Sequence, residues 1–224
     1  MARRIAGVCL AGLWLGPFAA ADPPPPAQTA AADANADDLA LAAACLDRGE
    51  EAAAVAHLSR HLAAHPDRPL VRFSLAELLW RRDRQDAARV EYERFLRDAP
   101  PHGGNVGRFI HAHTRVMTAA ERAGDGYGEH LHRGIGLYLL ADQDVDGAEG
   151  LLCKAAGELT LASRERPAEA RPHWYLYLVW GRLAQSQPAG RHLRRAADLA
   201  AHADLSPAER RDLSLVADAA APPR

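Results

Sequence analysis

Lysine is nearly missing from this 224-residue chain: Lys154 is the only one, and arginine supplies every other fixed positive charge. The 27 basic residues are balanced by 29 acidic ones, for a formal charge of −2. No segment concentrates the basic surface that would hold nucleic acid. Cysteine is scarce as well. Cys9, Cys45 and Cys153 are the whole set, too few for a disulfide framework, and no Cys-x-x-Cys-His stands ready to attach haem. Cys45 and Cys153 each lie among apolar neighbours, so the expectation is two buried free thiols. Gly124, Gly126 and Gly128 alternate without a preceding strand or a following Gly-Lys-Ser/Thr, which leaves a turn and no phosphate loop. His-Glu-x-x-His and Gly-x-Ser-x-Gly are also missing, so the common zinc-hydrolase and serine-nucleophile arrangements are excluded.

The start of the chain has its own pattern. Arg3 and Arg4 precede an apolar stretch from Ile5 to Gly16, and Ala19-Ala20-Ala21 offers small residues for cleavage before Asp22. Residues 1–21 therefore read as an export signal, which places the mature protein in the periplasm or outside the cell. The apolar stretch is too short to span a bilayer and is interrupted by Pro17, so no transmembrane segment remains after cleavage. Residues 22–35, with four consecutive prolines at 23–26 and then alanine and polar residues, read as an extended linker.

From residue 36 to 220 apolar residues recur at three-and-four spacing, glycine and proline fall at turns, and nothing alternates as a strand does. The expected fold class is all-α. Shifting the sequence by 34 residues lays Leu41 on Leu75, Ala42 on Ala76, Ala54 on Ala88, Leu58 on Tyr92, Leu62 on Leu96 and Pro66 on Pro100. Small residues at Ala42 and Ala54 let two antiparallel helices approach closely, and a proline closes the second helix. One such pair cannot bury its apolar face alone and must stack on neighbours.

These residues resemble the tetratricopeptide repeat, a 34-residue helix pair. The resemblance implies an α-α superhelix with repeats at about 35–68, 69–102, 129–162 and 170–203. An additional helix is expected at about 105–122. Ser206-Pro207-Ala208-Glu209 is a capping box that opens a last, capping helix. The large aromatic expected near each repeat start is replaced, by Asp38 in the first repeat and Arg72 in the second.

In that family the first helix of each pair lines a concave groove, which implies a non-catalytic scaffold for a protein or peptide. Carried over by position, the groove would present Leu39, Ala43 and Leu46, then Phe73, Glu77, Trp80 and Arg81, then Trp174, Leu178 and Arg182. Aromatic and arginine side chains dominate interface energetics, and the two arginines could pair a carboxylate.

Two other readings start from histidine. His57, His61 and His65 share one helical face, so His57 and His61 are weak candidates for a metal and a histidine-rich metal- or haem-handling protein is the alternative. His111/His113 and His130/His132 are spaced by two, which separates their rings around a helix. A third reading places an active site around Glu129, His130 and His132. No cofactor is expected. For the signal, sequencing the N-terminus of protein recovered from the cell envelope is expected to begin at or within a few residues of Asp22; a chain starting at Met1 or Ala2 would refute export.

Overall fold

The computed structural model describes residues 26–99, 104–144, 146–202 and 205–220, with the backbone alone at 26–36 and at 202. The expected signal at 1–21, the prolines at 23–25 and Pro100 lie outside these residues. Among the described residues every regular element is helical. The order is α1 (Pro26–Asp47), α2 (Glu51–Ala64), α3 (Pro69–Arg81), α4 (Gln85–Asp98), α5 (Val106–Ala123), α6 (Gly126–Leu140), α7 (Ala148–Glu165), α8 (Ala170–Arg182), α9 (Ser186–Leu199) and α10 (Pro207–Ala220). A 3-10 turn at Ala200–His202 follows α9. The stretch read as an extended linker is helical from Pro26 onward. Alanine, the strongest helix former, dominates it, and proline is tolerated at a first helical position.

The helices stack as pairs because of one turn that occurs four times. Gly49, Asp83, Gly124 and Ala184 take φ of +74°, +58°, +69° and +56°. The next amide in each case reaches back five residues. Glu50 donates to the Cys45 carbonyl at 2.8 Å, and Arg84, Asp125 and Gln185 donate to Leu79, Ala120 and Trp180 at 2.9 Å each. A left-handed residue with this back-bond ends one helix and reverses the chain so that the next can start at once. Glycine adopts the conformation without strain, whereas at Asp83 and Ala184 a side chain is carried into it.

This geometry adds a pair to the expected phase. The repeated turn joins α1/α2, α3/α4, α5/α6 and α8/α9, while α6 and α7, the pair expected at 129–162, also pack together. From the sequence α5/α6 is not recognisable as such a pair. The reason lies five residues past each left-handed residue, where Ala54, Ala88 and Ala189 stand but the third pair has Glu129. Without the small residue the third pair loses its signature. Helix α6 nonetheless packs as extensively on α7 as on α5. The approach to α7 is close at Gly134, where an added Cβ would stand 2.7 Å from the Leu159 side chain.

Three apolar clusters run along the stack. The first joins α1 to α5 around Leu75, Tyr92 and Phe95, the second joins α6, α7 and α8 around Ile135, Leu159 and Leu176, and the third gathers Trp174, Leu193 and Leu213 beneath α10. Helix α10 caps α9 and carries the expected box: the Ser206 amide donates to Glu209 Oε2 at 2.7 Å, and the Glu209 amide donates to Ser206 Oγ at 3.2 Å. Two expectations about burial change. Cys45 is buried, but Cys153 is exposed. Leu41, expected on the packing face with Ala42 and Cys45, is 45% exposed on the first helix of the stack. No helix among the described residues is long and apolar enough to cross a membrane.

The alanines at the crossings are fully enclosed, Ala54 and Ala88 both at 0% exposure. A larger side chain there must push the pair apart. Ala88→Leu is expected to lower stability by about 1–3 kcal/mol, the range for overpacking, in urea or thermal melts; an unchanged melt would contradict this crossing.

Candidate partner-binding surface

Phe73, Glu77 and Trp80 follow one another at three-and-four spacing along α3, and the structure brings all three together. Each is half-buried, leaning on the first core cluster while staying partly exposed. Helix α5 supplies what the sequence reading missed. Arg115 lays its guanidinium over the Trp80 ring at 4.6 Å from the centroid, and Arg122, two turns further along, reaches the same ring at 5.9 Å. His111 of α5 packs edge-on to Phe73 at 5.9 Å and places Nε2 2.7 Å from Glu77 Oε1. The Tyr92 hydroxyl of α4 donates to the same carboxylate oxygen. Burial, together with this carboxylate, holds the Tyr92 phenol well above the usual tyrosine range. Glu77 is thus engaged from two sides and does not face outward as a free acid.

The arginines differ in this respect. Arg115 donates from Nε to His111 Nε2 at 3.2 Å and has no carboxylate partner, and Arg122 has none either, among the described residues. A guanidinium held over an indole still has N–H donors to offer a planar acceptor. The signal that could have found it is in the sequence: Arg115 and Arg122 are spaced by seven, as Phe73 and Trp80 are, and both pairs lie two turns apart on one face.

The remaining candidates are placed elsewhere. Arg81 points away from this surface and pairs Glu51 of α2 at 3.1 Å. Trp174 is 4% exposed, stacked on Tyr177 within the third cluster, so its ring offers no face to the outer surface and only lines the space beneath α10. Arg182 is tied to Asp142 at 2.8 Å, to the Ala141 carbonyl at 3.2 Å and to the face of Tyr138 at 5.4 Å. Leu178 is half-buried on α8, whereas Leu39, Ala43 and Leu46 are exposed on α1. The structure therefore yields one surface, on α3 and α5, where the sequence suggested a row of three.

The histidines settle mostly into pairs. His113 and His132 bring their Nδ1 atoms to 2.9 Å across α5/α6, fully enclosed, and His173 and His192 do the same at 3.1 Å across α8/α9, half-buried. Of each pair one ring donates its N–H and the other accepts, so at most one ring of a pair can carry a charge while the bond is kept. His57 Nδ1 stands 2.8 Å from Asp38, a carboxylate it shares with Arg60, and His61 is buried against His65. His130 faces Glu158 at 2.7 Å, and Glu129 is bound to Arg133. Among the described residues no group of three or more His, Cys, Asp or Glu could hold a metal ion.

Asp38, Arg72, His113 and His173 occupy one position, each eleven residues before the left-handed turn. Each bridges to the residue nineteen further on: His57, Glu91, His132 and His192. A polar link between the two helices of a pair thus stands where the repeat signature has a large aromatic.

The two imidazole pairs make stability depend on acid. Burial first, then neighbouring positive charge, holds His113 and His132 well below the usual 6.5, and His173 at about 4. A depressed histidine takes up its proton in the unfolded chain before it does so in the folded one. Stability is expected to fall as pH drops from about 6.5 towards 4, and to be level above that range. Urea midpoints measured at steps of pH check this, and His173→Phe/His192→Phe should flatten part of the slope.

No protein-family model matches the chain, and no curated protein matches it. Among solved structures, the crystal structure of MamA protein is similar over 75% of this chain and 92% of that one, at 12% identity and a TM-score of 0.37. MamA 41-end from Desulfovibrio magneticus RS-1 is similar over 77% and 98%, at 18% identity and 0.33. YrrB, described as a TPR protein with an unusual peptide-binding site, is similar over 81% and 90%, at 14% identity and 0.34. At such scores the architecture of this chain stands on its own helix packing.

Proposed function

We propose that the protein is a non-catalytic scaffold, exported to the cell envelope, that binds another protein or a peptide through the α3/α5 surface. The observation that supports this reading is Trp80: a half-buried indole with two arginines over its ring and, among the described residues, no carboxylate paired with them. Aromatic rings anchored in a core and only half-buried lose little freedom when a partner covers them, and tryptophan and arginine carry the most weight at interfaces. The guanidinium donors favour partner carboxylates, so the bound segment carries Asp or Glu beside an apolar residue. Export rests on the N-terminal pattern of Arg3, Arg4, the apolar stretch and Ala19-Ala20-Ala21.

Trp80 separates binding from folding. Captured with partner from an envelope extract and then measured with that purified partner, Trp80→Ala is expected to weaken binding by about 2 kcal/mol or more. Its loss of stability should stay below the roughly 3–5 kcal/mol of a fully enclosed aromatic truncation, because the ring is only half-buried. Unchanged binding, or a melt that collapses as it would for a fully enclosed ring, would remove this surface from consideration.

A further inference from the structure

Beneath the capping helix lies a cavity of about 400 Å³, partly open to solvent, between α5, α6, α8 and α10. That size falls among small-molecule sites, and a well-packed helical core leaves no such space. Helix α10 does not fill it: only Glu209 and Leu213 of that helix are buried. The walls are apolar and aromatic, with Phe109 from α5, Tyr138 from α6, Trp174 and Tyr175 from α8, and Val216 from α10. Three carboxylates, Asp142, Glu209 and Asp212, face this space against the one guanidinium of Arg171.

The charges are not equally committed. Arg171 pairs Glu209 at 2.9 Å, with the Tyr175 hydroxyl donating to the same oxygen at 2.9 Å. Asp142 is matched by Arg182 at 2.8 Å. Asp212, by contrast, has among the described residues only a 3.7 Å approach from its neighbour Arg211, and its side chain is 47% exposed. An anion entering here would meet uncompensated carboxylate, whereas a cation would meet carboxylate and the negative faces of aromatic rings.

We propose that this cavity binds an organic cation with an apolar body, an alkyl- or arylammonium, with the apolar part against Phe109 and Trp174 and the ammonium at Asp212. The site is separate from the Trp80 surface and does not rest on it. Hexyltrimethylammonium, hexanol and hexanoate share a body and differ in charge, so they serve as probes of the full chain by calorimetry and by tryptophan fluorescence. The ammonium is expected to bind about tenfold more tightly than hexanol, within the combined range of a cation–π contact and an exposed ion pair, and hexanoate should bind most weakly. Asp212→Asn should bring the ammonium close to hexanol without moving the melt, and Trp80→Ala should change nothing. Equal binding of all three probes, no binding at millimolar concentration, or an unaffected Asp212→Asn would each overturn the proposal.

Discussion

The left-handed residue at Gly49, Asp83, Gly124 and Ala184 governs how everything else is placed. It ends the first helix of a pair with a back-bond to the carbonyl five residues earlier, and it fixes where the second helix begins. Two helices joined so tightly have no freedom to slide, so the residues that meet between them meet in every pair at the same separation. Ala54 and Ala88 lie at the resulting crossings with no surface exposed, and the close approach in turn is what lets short, alanine-rich helices of this kind hold together at all.

Fixed register also accounts for the polar character of the stack. The position eleven residues before the turn always faces the one nineteen residues after it, and this chain fills both with groups that satisfy each other. Arg72 is the clearest case, 6% exposed, donating to Glu91 at 2.7 Å and to the Pro66 carbonyl at 2.9 Å. Removing one partner would strand a buried charge, which is far more damaging than replacing both. The imidazole pairs do the same work without charge, and the compromise is a core whose integrity depends on their staying neutral.

Much of this was legible beforehand because it depends on local chemistry. The 34-residue offset, the capping box at Ser206 and the spacing of Phe73, Glu77 and Trp80 are statements about single helices and short turns, and the structure keeps each of them. What escaped depends on contacts between distant segments. Glu129 in place of alanine hides the α5/α6 pair, because a small residue is what marks a close crossing in sequence and the turn before it shows only as glycine-rich. Arg115 and Arg122 could not be joined to Trp80 until α5 was known to lie beside α3. Trp174 shows the converse: its position along α8 matched that of a groove residue, but α10 folds over that end and encloses it. Ala30, Ala31 and Ala32 show how a proline run can mislead, since alanine predominates after the last proline.

Because each pair is closed within itself, the segments between pairs bear no such constraint. The spacings of 34, 41 and 60 residues between successive turns show the difference taken up ahead of the crossings, once by a longer connection with an added turn at the start of α5 and once by a whole extra helix, α7. A chain built this way can lengthen or shorten in evolution by inserting or losing material at those junctions, with no existing crossing disturbed. Its length is a variable that selection can adjust, while the geometry of each pair is inherited unchanged.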